Sequence, residues 1–510
     1  MENQIVELLR RLIRIDSESQ SVKERDIETF LLQYLEQIPG AVAQSVGIKD
    51  DPYGRNIVYG IVQGQTKDTV IFLNHHDVVG IAPYGVLAKD AFSPDMLRED
   101  LLQQETNPEV LADLKSGEWL VGRGSCDMKG GMAAQLSVFA DYAAQPGKAS
   151  LLFLSIPDEE SYSAGMRSAV PLLKSLQQTY GLHYRLVINS EPSPKEDGKL
   201  VAYTGSVGKV LPVVFVQGKP VHVGSYQEGL NPIGILARIV AATEGNMDLV
   251  DKAGTETTPP PAWMYFRDRK KRYDVSLPYR AAGWANFLMY HKTPAEVLKI
   301  LKDTAVQAVN DSGTDVVVQI MTGAELMEIG KKTNGFEVLY EHLYHTSSLA
   351  LAKGTSSYAE ETISMIAHLL AFLHMTEPTI VIAFAPPFYP AAQSRLVSDS
   401  SYDAVLEGIT SVAPVTYKPY FNGISDCSYC CIDSRVTEYM LQGNLLLLGN
   451  AYPLHFQTMA ELQIPFLLLG PWGKDLHERT ERVHIQSVSE ELPKILHNVL
   501  DIVGKTSNQS

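Results

Sequence analysis

"VIFLNHHDVVG", residues 70–80, decides how the chain is read. Val70 to Leu73 is an apolar run with the look of a buried strand, and it breaks into two histidines and an aspartate. Polar groups at the end of a buried strand need partners. On a strand, residues i and i+2 share a side and i+1 points away. This parity places His75 with Asp77 and turns His76 to the other face. If His75 binds a metal, Asp77 can orient its ring, because ligating imidazoles usually donate their second nitrogen to a carboxylate or carbonyl. For His76 the expectation is packing or a supporting hydrogen bond, with no claim to metal.

The same grammar recurs. "ASLLFLSIPDEE" (149–160), "YRLVINSEP" (184–192) and "IPFLLLGPWGKDLHERTE" (464–481) are also apolar runs that end in a polar cluster. Helical patterns lie between them, in "GGMAAQLSVFADYAAQ" (130–145) and "SAVPLLKSLQQTYG" (168–181). Alternating strands and helices predict an α/β fold with helices flanking the sheet, where ligands sit beyond the carboxyl ends of strands. The middle of the chain reads strand, helix, strand, helix, strand: 209–218, 231–243, 283–290, 293–309 and 314–321. That order predicts an inserted α+β domain over 205–323, with the discontinuous main domain over 1–204 and 324–510. The Pro-rich 255–274 stretch reads as a loop of the insert and 504–510 as a disordered tail; the polar, helix-like 95–118 stretch reads by default as a solvated helix, with shaping of substrate access or an interface as the alternatives.

Composition bounds the function. The 510 residues carry 43 basic and 59 acidic side chains, a net charge of −16, which disfavours nucleic acid and anionic membranes as partners. No apolar run approaches the roughly 20 residues of a membrane span. The N-terminal "MENQIVELLRRLIRID" reads as an amphipathic helix, without the continuous apolar stretch of a signal peptide. Four cysteines make no disulfide framework, and a cytoplasmic enzyme fits all of this.

The polar clusters share one chemistry. In "GRGSCDMKGGMAA" (122–134) the glycines permit a tight loop that delivers Asp127 just before a helix. "PDEES" (157–161) supplies three consecutive carboxylates, "SEP" adds Glu191 and "DLHERTE" adds His477. Packed together such acids repel unless something positive compensates. Imidazole with hard oxygen suits zinc, manganese or cobalt, and two close ions need a bridging carboxylate, for which the lone acid of the glycine loop is a candidate. Taken singly, a strand-end histidine is usually a satisfied core residue and an acid run a solvated surface. Their joint occurrence at four strand ends favours a metal site. "CSYCC" (427–431) reads as buried thiols. "GRGSC" lacks the nucleophile-elbow pattern of serine hydrolases, so Ser125 and Cys126 do not read as nucleophiles.

In chain order, these motifs resemble those of the co-catalytic zinc metallopeptidases that include aminoacylase, carboxypeptidase G and succinyl-diaminopimelate desuccinylase. "HHD" is similar to the family's HxD, "GRGSCDMKGG" to its GRGxxDMKGG, "PDEES" to its DEE and "SEPS" to its EP segment. "GKPVHVG" (218–224) is similar to GxxxHxG, "GISD" (423–426) to GxxD and "HERTE" to the terminal HxxxE. With "APPFYP" (385–390), the pattern looks most like the arginine-utilisation branch. The resemblance implies a ferredoxin-like insert that acts as lid and dimerisation domain, and two divalent ions, zinc foremost, with cobalt or manganese as alternatives. It implies His75 and Glu191 on one ion, Glu160 and His477 on the other, and Asp127 bridging. Glu159 would be the general base, Asp77 the support of His75, and His222 the group that approaches the oxyanion from the partner subunit of a homodimer. The substrate class would be a small amino-acid derivative cut at a peptide, N-acyl or N-carbamoyl bond. The rivals are a dipeptidase or carboxypeptidase-like exopeptidase and, in another class, a metal-retaining scaffold without turnover. One departure stands out: "NFLMYHKTP" (286–294) lacks the arginine with which many members hold a substrate carboxylate, leaving Arg280, His291 or Lys292 as substitutes.

Overall fold

A computed structural model describes residues 2–506. Among them, a nine-stranded mixed sheet runs in the order Val42–Gly47, Asn56–Val62, Ser150–Ile156, Asp68–His75, His183–Asn189, Phe466–Leu468, Lys199–Tyr203, Val415–Lys418, with Lys195–Glu196 paired beside Lys199–Tyr203. The three central strands Ser150–Ile156, Asp68–His75 and His183–Asn189 are parallel. All three therefore end on the same edge, so the polar clusters that follow them meet there.

The opening strand shows why this is the centre. It is buried along its whole length, as expected of a parallel strand covered on both faces. Val70 and Phe72 join Leu151, Phe153, Leu136 and Phe139 in one core layer, against the helices Lys129–Ala144, Glu2–Ile13 and Leu492–Thr506. Ile71 and Leu73 join Leu152, Leu154, Val170 and Leu173 in the other, against the helix Ala164–Tyr180. Phe72 is fully buried. Phe72→Ala is expected to cost about 3–5 kcal/mol, read as a lower denaturant midpoint with an unchanged slope.

The second sheet has five strands in the order Ala262–Asp268, Arg280–Met289, Gly208–Gln217, Thr379–Tyr389, Gln319–Thr322. Within 208–322 the sequence of elements is strand, helix, strand, strand, helix, strand, that of a ferredoxin-like unit. Two expectations are corrected here. The boundary at 323 cuts through this sheet, because Thr379–Tyr389 wedges between Gly208–Gln217 and Gln319–Thr322. Moreover, Gly323–Lys331 and Tyr358–Phe372 cover the face opposite Pro232–Thr243 and Pro294–Asn310. An apolar run such as "TIVIAFAP" shows that a strand is buried but not which sheet it joins. The second correction concerns 255–274, which is not all loop. Ala262–Asp268 is an edge strand beginning just past the prolines, where a missing N–H costs least, and Tyr265 stacks on Trp284 at 4.1 Å.

The 95–118 stretch forms two helices, Pro94–Gln104 and Pro108–Ser116, with Leu97, Leu101, Val110 and Leu114 packed into a small core of their own. Of the C-terminal tail, 504–506 end the last helix and 507–510 lie outside the described residues. No helix among the described residues is long and apolar enough to cross a membrane.

Candidate metal centre

The strand parity holds. His75 and His76 are both buried but diverge: His76 Nδ1 lies 3.0 Å from Ser155 Oγ and its Nε2 3.6 Å from Glu28, in the layer behind the sheet. His75 faces the edge where the clusters converge. Its Nε2 is 3.1 Å from Asp127 Oδ1 and 3.6 Å from Glu191 Oε1. Its Nδ1 is 3.0 Å from the Asp77 carbonyl oxygen and 3.5 Å from the Asp77 carboxylate. Asp77 thus holds the ring mainly through its backbone. Its carboxylate accepts the amide N–H groups of Glu159 at 3.1 Å and Glu160 at 3.2 Å, which sets the turn carrying both acids.

That turn is held from below as well. Asp158 adopts φ +70°, a conformation that only a stabilised non-glycine residue keeps. Its carboxylate accepts from buried Arg55 at 2.7 Å and from the Ala164 amide at 3.0 Å. Arg55 also bonds Glu24 at 3.0 Å and Asp51 at 2.6 Å.

Asp127 stands between two clusters. Its Oδ1 faces His75, and its Oδ2 lies 3.2 Å from His477 Nε2, which is itself 3.2 Å from Glu160 Oε2. Two three-residue groups result, His75–Asp127–Glu191 and Asp127–Glu160–His477, each with its ligand atoms within 4.8 Å of one another. Glu160 Oε1 is buried without a hydrogen-bond partner. His477, on an exposed loop at φ +66°, closes the centre on the solvent side.

Charge explains what this arrangement lacks. Asp77, Asp127, Glu159, Glu160, Glu191 and Asp426 crowd around two imidazoles. Burial pushes the Glu160 carboxyl up to about 7, with Asp127 adding to the effect, and the Asp426 carboxyl up to about 8. Burial raises Glu159 well above the usual carboxylate range and raises Glu191 as well. Hydrogen bonds to Asp127 and Glu160 push His477 up to about 10. Burial works against ionisation of Asp127, but the two histidines hold its carboxyl below the ordinary value. A carboxylate surplus that protonates its own members, with an orphaned Glu160 oxygen, is what divalent cations would neutralise, so these residues fit a pair of metal ions. His75→Ala is expected to lower metal content, whereas His76→Phe should leave it largely intact. Elemental analysis of both variants reads the difference, and the reverse outcome would refute the assignment of faces.

The structure adds a feature that periodicity did not reveal. Glu481 and Arg123 form a fully buried ion pair behind Asp127. Glu481 Oε1 accepts the amides of Cys126 at 3.2 Å and Asp127 at 3.3 Å, while Arg123 donates to the His477 carbonyl at 3.0 Å. One pair therefore ties together the loops of two candidate metal-site residues that lie 350 positions apart in sequence. Both residues stood in quoted motifs, but nothing in the sequence showed that they meet. Glu481→Gln is expected to weaken metal binding by about 10–100-fold, the usual effect of losing a partner behind the ligands, measured by titration of the metal-free protein.

The 95–118 helices are not merely solvated. Glu105 pairs with Arg479 at 2.8 Å, Glu109 and Asp113 each pair with Lys474 at 2.9 Å, and Asp113 also accepts from Arg482 at 2.8 Å. These residues brace the loop that carries His477.

His222 is not brought to the centre within the chain. It is exposed at the start of the turn Val223–Glu228, where its Nδ1 accepts the Gly224 amide at 3.0 Å. The three suggested substitutes for a substrate-binding arginine are also elsewhere. Arg280 bonds Gln217 at 3.1 Å, and Lys292 bonds the Val250 carbonyl at 2.8 Å. His291 lines a separate 630 Å³ cavity with Tyr420, Asp433 and Arg435. Cys427, Cys430 and Cys431 are buried free thiols, as expected.

Residues 100–444 match the model of peptidase family M20/M25/M40. The chain is 30% identical over 541 residues to the uncharacterized protein YqjN of Bacillus subtilis (strain 168), covering 100% of this chain and 98% of that one. It is 27% identical to Protein RocB of the same organism, covering 91% and 87%. A tripeptidase from Staphylococcus aureus subsp. aureus Mu50 shares the fold, with a TM-score of 0.56 at 13% identity over 99% of both chains. With full-length similarity to one relative and a family match over most of its length, the chain belongs to peptidase family M20/M25/M40 and is a metal-dependent hydrolase.

Proposed function

We propose that the protein hydrolyses an amide bond (peptide, N-acyl or N-carbamoyl) in a small amino-acid-derived substrate, using two divalent ions held as one centre. The observation that carries this reading is Asp127, with one oxygen 3.1 Å from His75 and the other 3.2 Å from His477. On this reading His75, Asp127 and Glu191 hold one ion, and Asp127, Glu160 and His477 the other. The nitrogen-and-oxygen ligand set suits zinc, with cobalt and manganese as alternatives. When bound, such ions polarise the substrate carbonyl and make water acidic near neutral pH.

The chain's own groups do the rest. Glu159 belongs to neither ligand group, and its buried carboxylate has a raised proton affinity, so it can take a proton from water and pass it to the leaving nitrogen. Asp77 keeps His75 and the Glu159–Glu160 turn in register. His222, exposed on the five-stranded unit, would serve the centre of a second subunit in a homodimer. The unit itself would extend from 205 to about 389, rather than ending at 323, because its sheet does. A cytoplasmic role in arginine utilisation is the setting we assign.

The test is metal analysis of the purified protein together with a panel of dipeptides and N-acyl and N-carbamoyl amino acids, including arginine-pathway compounds. Two ions per chain are expected, with turnover that is lost on chelation and restored on reloading. Bound metal without hydrolysis of any member of the panel would sink the enzymatic reading.

A further inference from the structure

The 630 Å³ cavity beside Tyr420 belongs to neither sheet alone. Ala253 and His291 come from the five-stranded unit, whereas Tyr420, Asp433 and Arg435 lie on loops of the larger one. Gln393, also in the wall, sits on the short strand Ala392–Gln393, which pairs with Gly205–Ser206 where the chain crosses between the sheets. Neither group of metal-ligand candidates lines the cavity, and Glu159 does not line it either.

Several polar groups of its wall are left open. Tyr420 is 4% exposed, and stacking on Tyr290 at 4.3 Å fixes its ring. Its hydroxyl is not sealed off, yet it makes no hydrogen bond among the described residues. Arg435 chelates Asp433 through Nε at 3.1 Å and Nη2 at 2.7 Å, which leaves Nη1 unpaired among the described residues. Asp433 accepts that guanidinium and the Arg435 amide at 2.8 Å, three donors for its roughly four acceptor sites. The remaining wall is apolar or flat. Leu396 is 68% exposed, and the His291 ring stands edge-on to Tyr420 at 5.9 Å.

We propose that this cavity is a second binding site, distinct from the metal centre, for a free α-amino acid with an apolar side chain. Arg435 Nη1 and the Tyr420 hydroxyl would take the carboxylate, Asp433 the ammonium, and Leu396 the side chain. A ligand of a single sign would meet one member of the Asp433–Arg435 pair and be repelled by the other, whereas a zwitterion answers both. The site also bears on the metal centre. It touches both units at their crossover, and Tyr389 of the second sheet reaches Ser163, just past Glu159 and Glu160, at 3.1 Å. Both places depend on how the two sheets sit, so a ligand at one shifts affinity at the other reciprocally. Binding here does not depend on the amide-hydrolase reading. On that reading, the amino acid released at the centre is of the class the cavity takes, and the site would sense product.

The test uses L-leucine, L-leucinamide, which lacks the carboxylate, and 4-methylpentanoate, which lacks the ammonium. Calorimetry measures each on the full chain, metal-loaded and metal-stripped. L-leucine is expected to bind both forms, about tenfold or more tighter than either probe that lacks one charge. Tyr420→Phe, which keeps the ring stack, should weaken L-leucine by about fivefold, and Arg435→Gln by about tenfold or more. Arg435→Gln should also erase the preference over L-leucinamide, and Asp433→Asn the preference over 4-methylpentanoate. Thermal melting checks that the variants fold, and the preferences are ratios that a general loss of packing does not move. No saturable binding of L-leucine, binding that disappears with the metal, or binding indifferent to both Tyr420→Phe and Arg435→Gln would overturn the proposal. An effect of L-leucine on turnover that persists undiminished in Arg435→Gln would place its action at the metal centre and count against the cavity. Specific binding by a chain that hydrolyses nothing would support the site and weigh against the hydrolase reading alone.

Discussion

Glu159→Gln is expected to lower kcat by about 10²–10⁴-fold, the contribution of a positioned general base, and to leave metal content unchanged. The two halves of this prediction come from separate facts. Glu159 belongs to neither ligand group, so its loss removes no metal donor. Its backbone amide, which binds Asp77, is retained in the variant, so the turn that presents Glu160 should hold. Glutamine has the same shape as the buried acid but cannot accept and return a proton. The sign of the pH dependence follows from the same role: the base works when ionised, so the wild-type rate falls as pH drops through its pKa, and that limb should vanish in the variant. Steady-state kinetics with metal analysis of the same samples provide the check. A variant within tenfold of wild type would move the proton-transfer role to another group.

Asp127→Ala should have the largest effect on metal. Each of its oxygens faces a different histidine, so the substitution removes a donor from both groups at once, whereas His75→Ala removes one from a single group. Metal content is expected to fall below one ion per chain, and turnover with it. Proton release should report the same site. His477 is pushed up to about 10 by its hydrogen bonds to Asp127 and Glu160, and an imidazole must be neutral to bind a metal. Below that pH the ion displaces a proton, so apparent affinity falls as pH falls, by about tenfold per unit for each proton released. With Asp127 gone, the first-named support of the protonated ring is lost, and the release measured at neutral pH should shrink. Calorimetric titrations in buffers of different ionisation enthalpy measure it. Retention of two ions by Asp127→Ala would refute the bridging geometry.

Local rules carried much of the site. Strand parity alone separated His75 from His76, because side chains alternate wherever both faces of a strand are buried. The glycines of 122–131 and the proline-flanked acids at 157–160 marked where strands end and donors begin. The long-range partners were not legible. The role of Asp77 in fixing the Glu159–Glu160 turn depends on amides 82 and 83 residues away. The Arg123–Glu481 pair and the bracing of the His477 loop by Glu105, Glu109 and Asp113 join segments more than 350 residues apart.

Sequence by itself determined which residues lie at strand ends, which face each takes, and that the acids and imidazoles outnumber what a soluble core tolerates unpaired. These are properties of periodicity and composition, which act over a few residues. The tertiary structure decided which sheet the run 379–389 joins, which carboxylate stands between the histidines, and where His222 lies. Those outcomes are set by which buried surfaces and charges meet across the fold, and no local pattern encodes the partner.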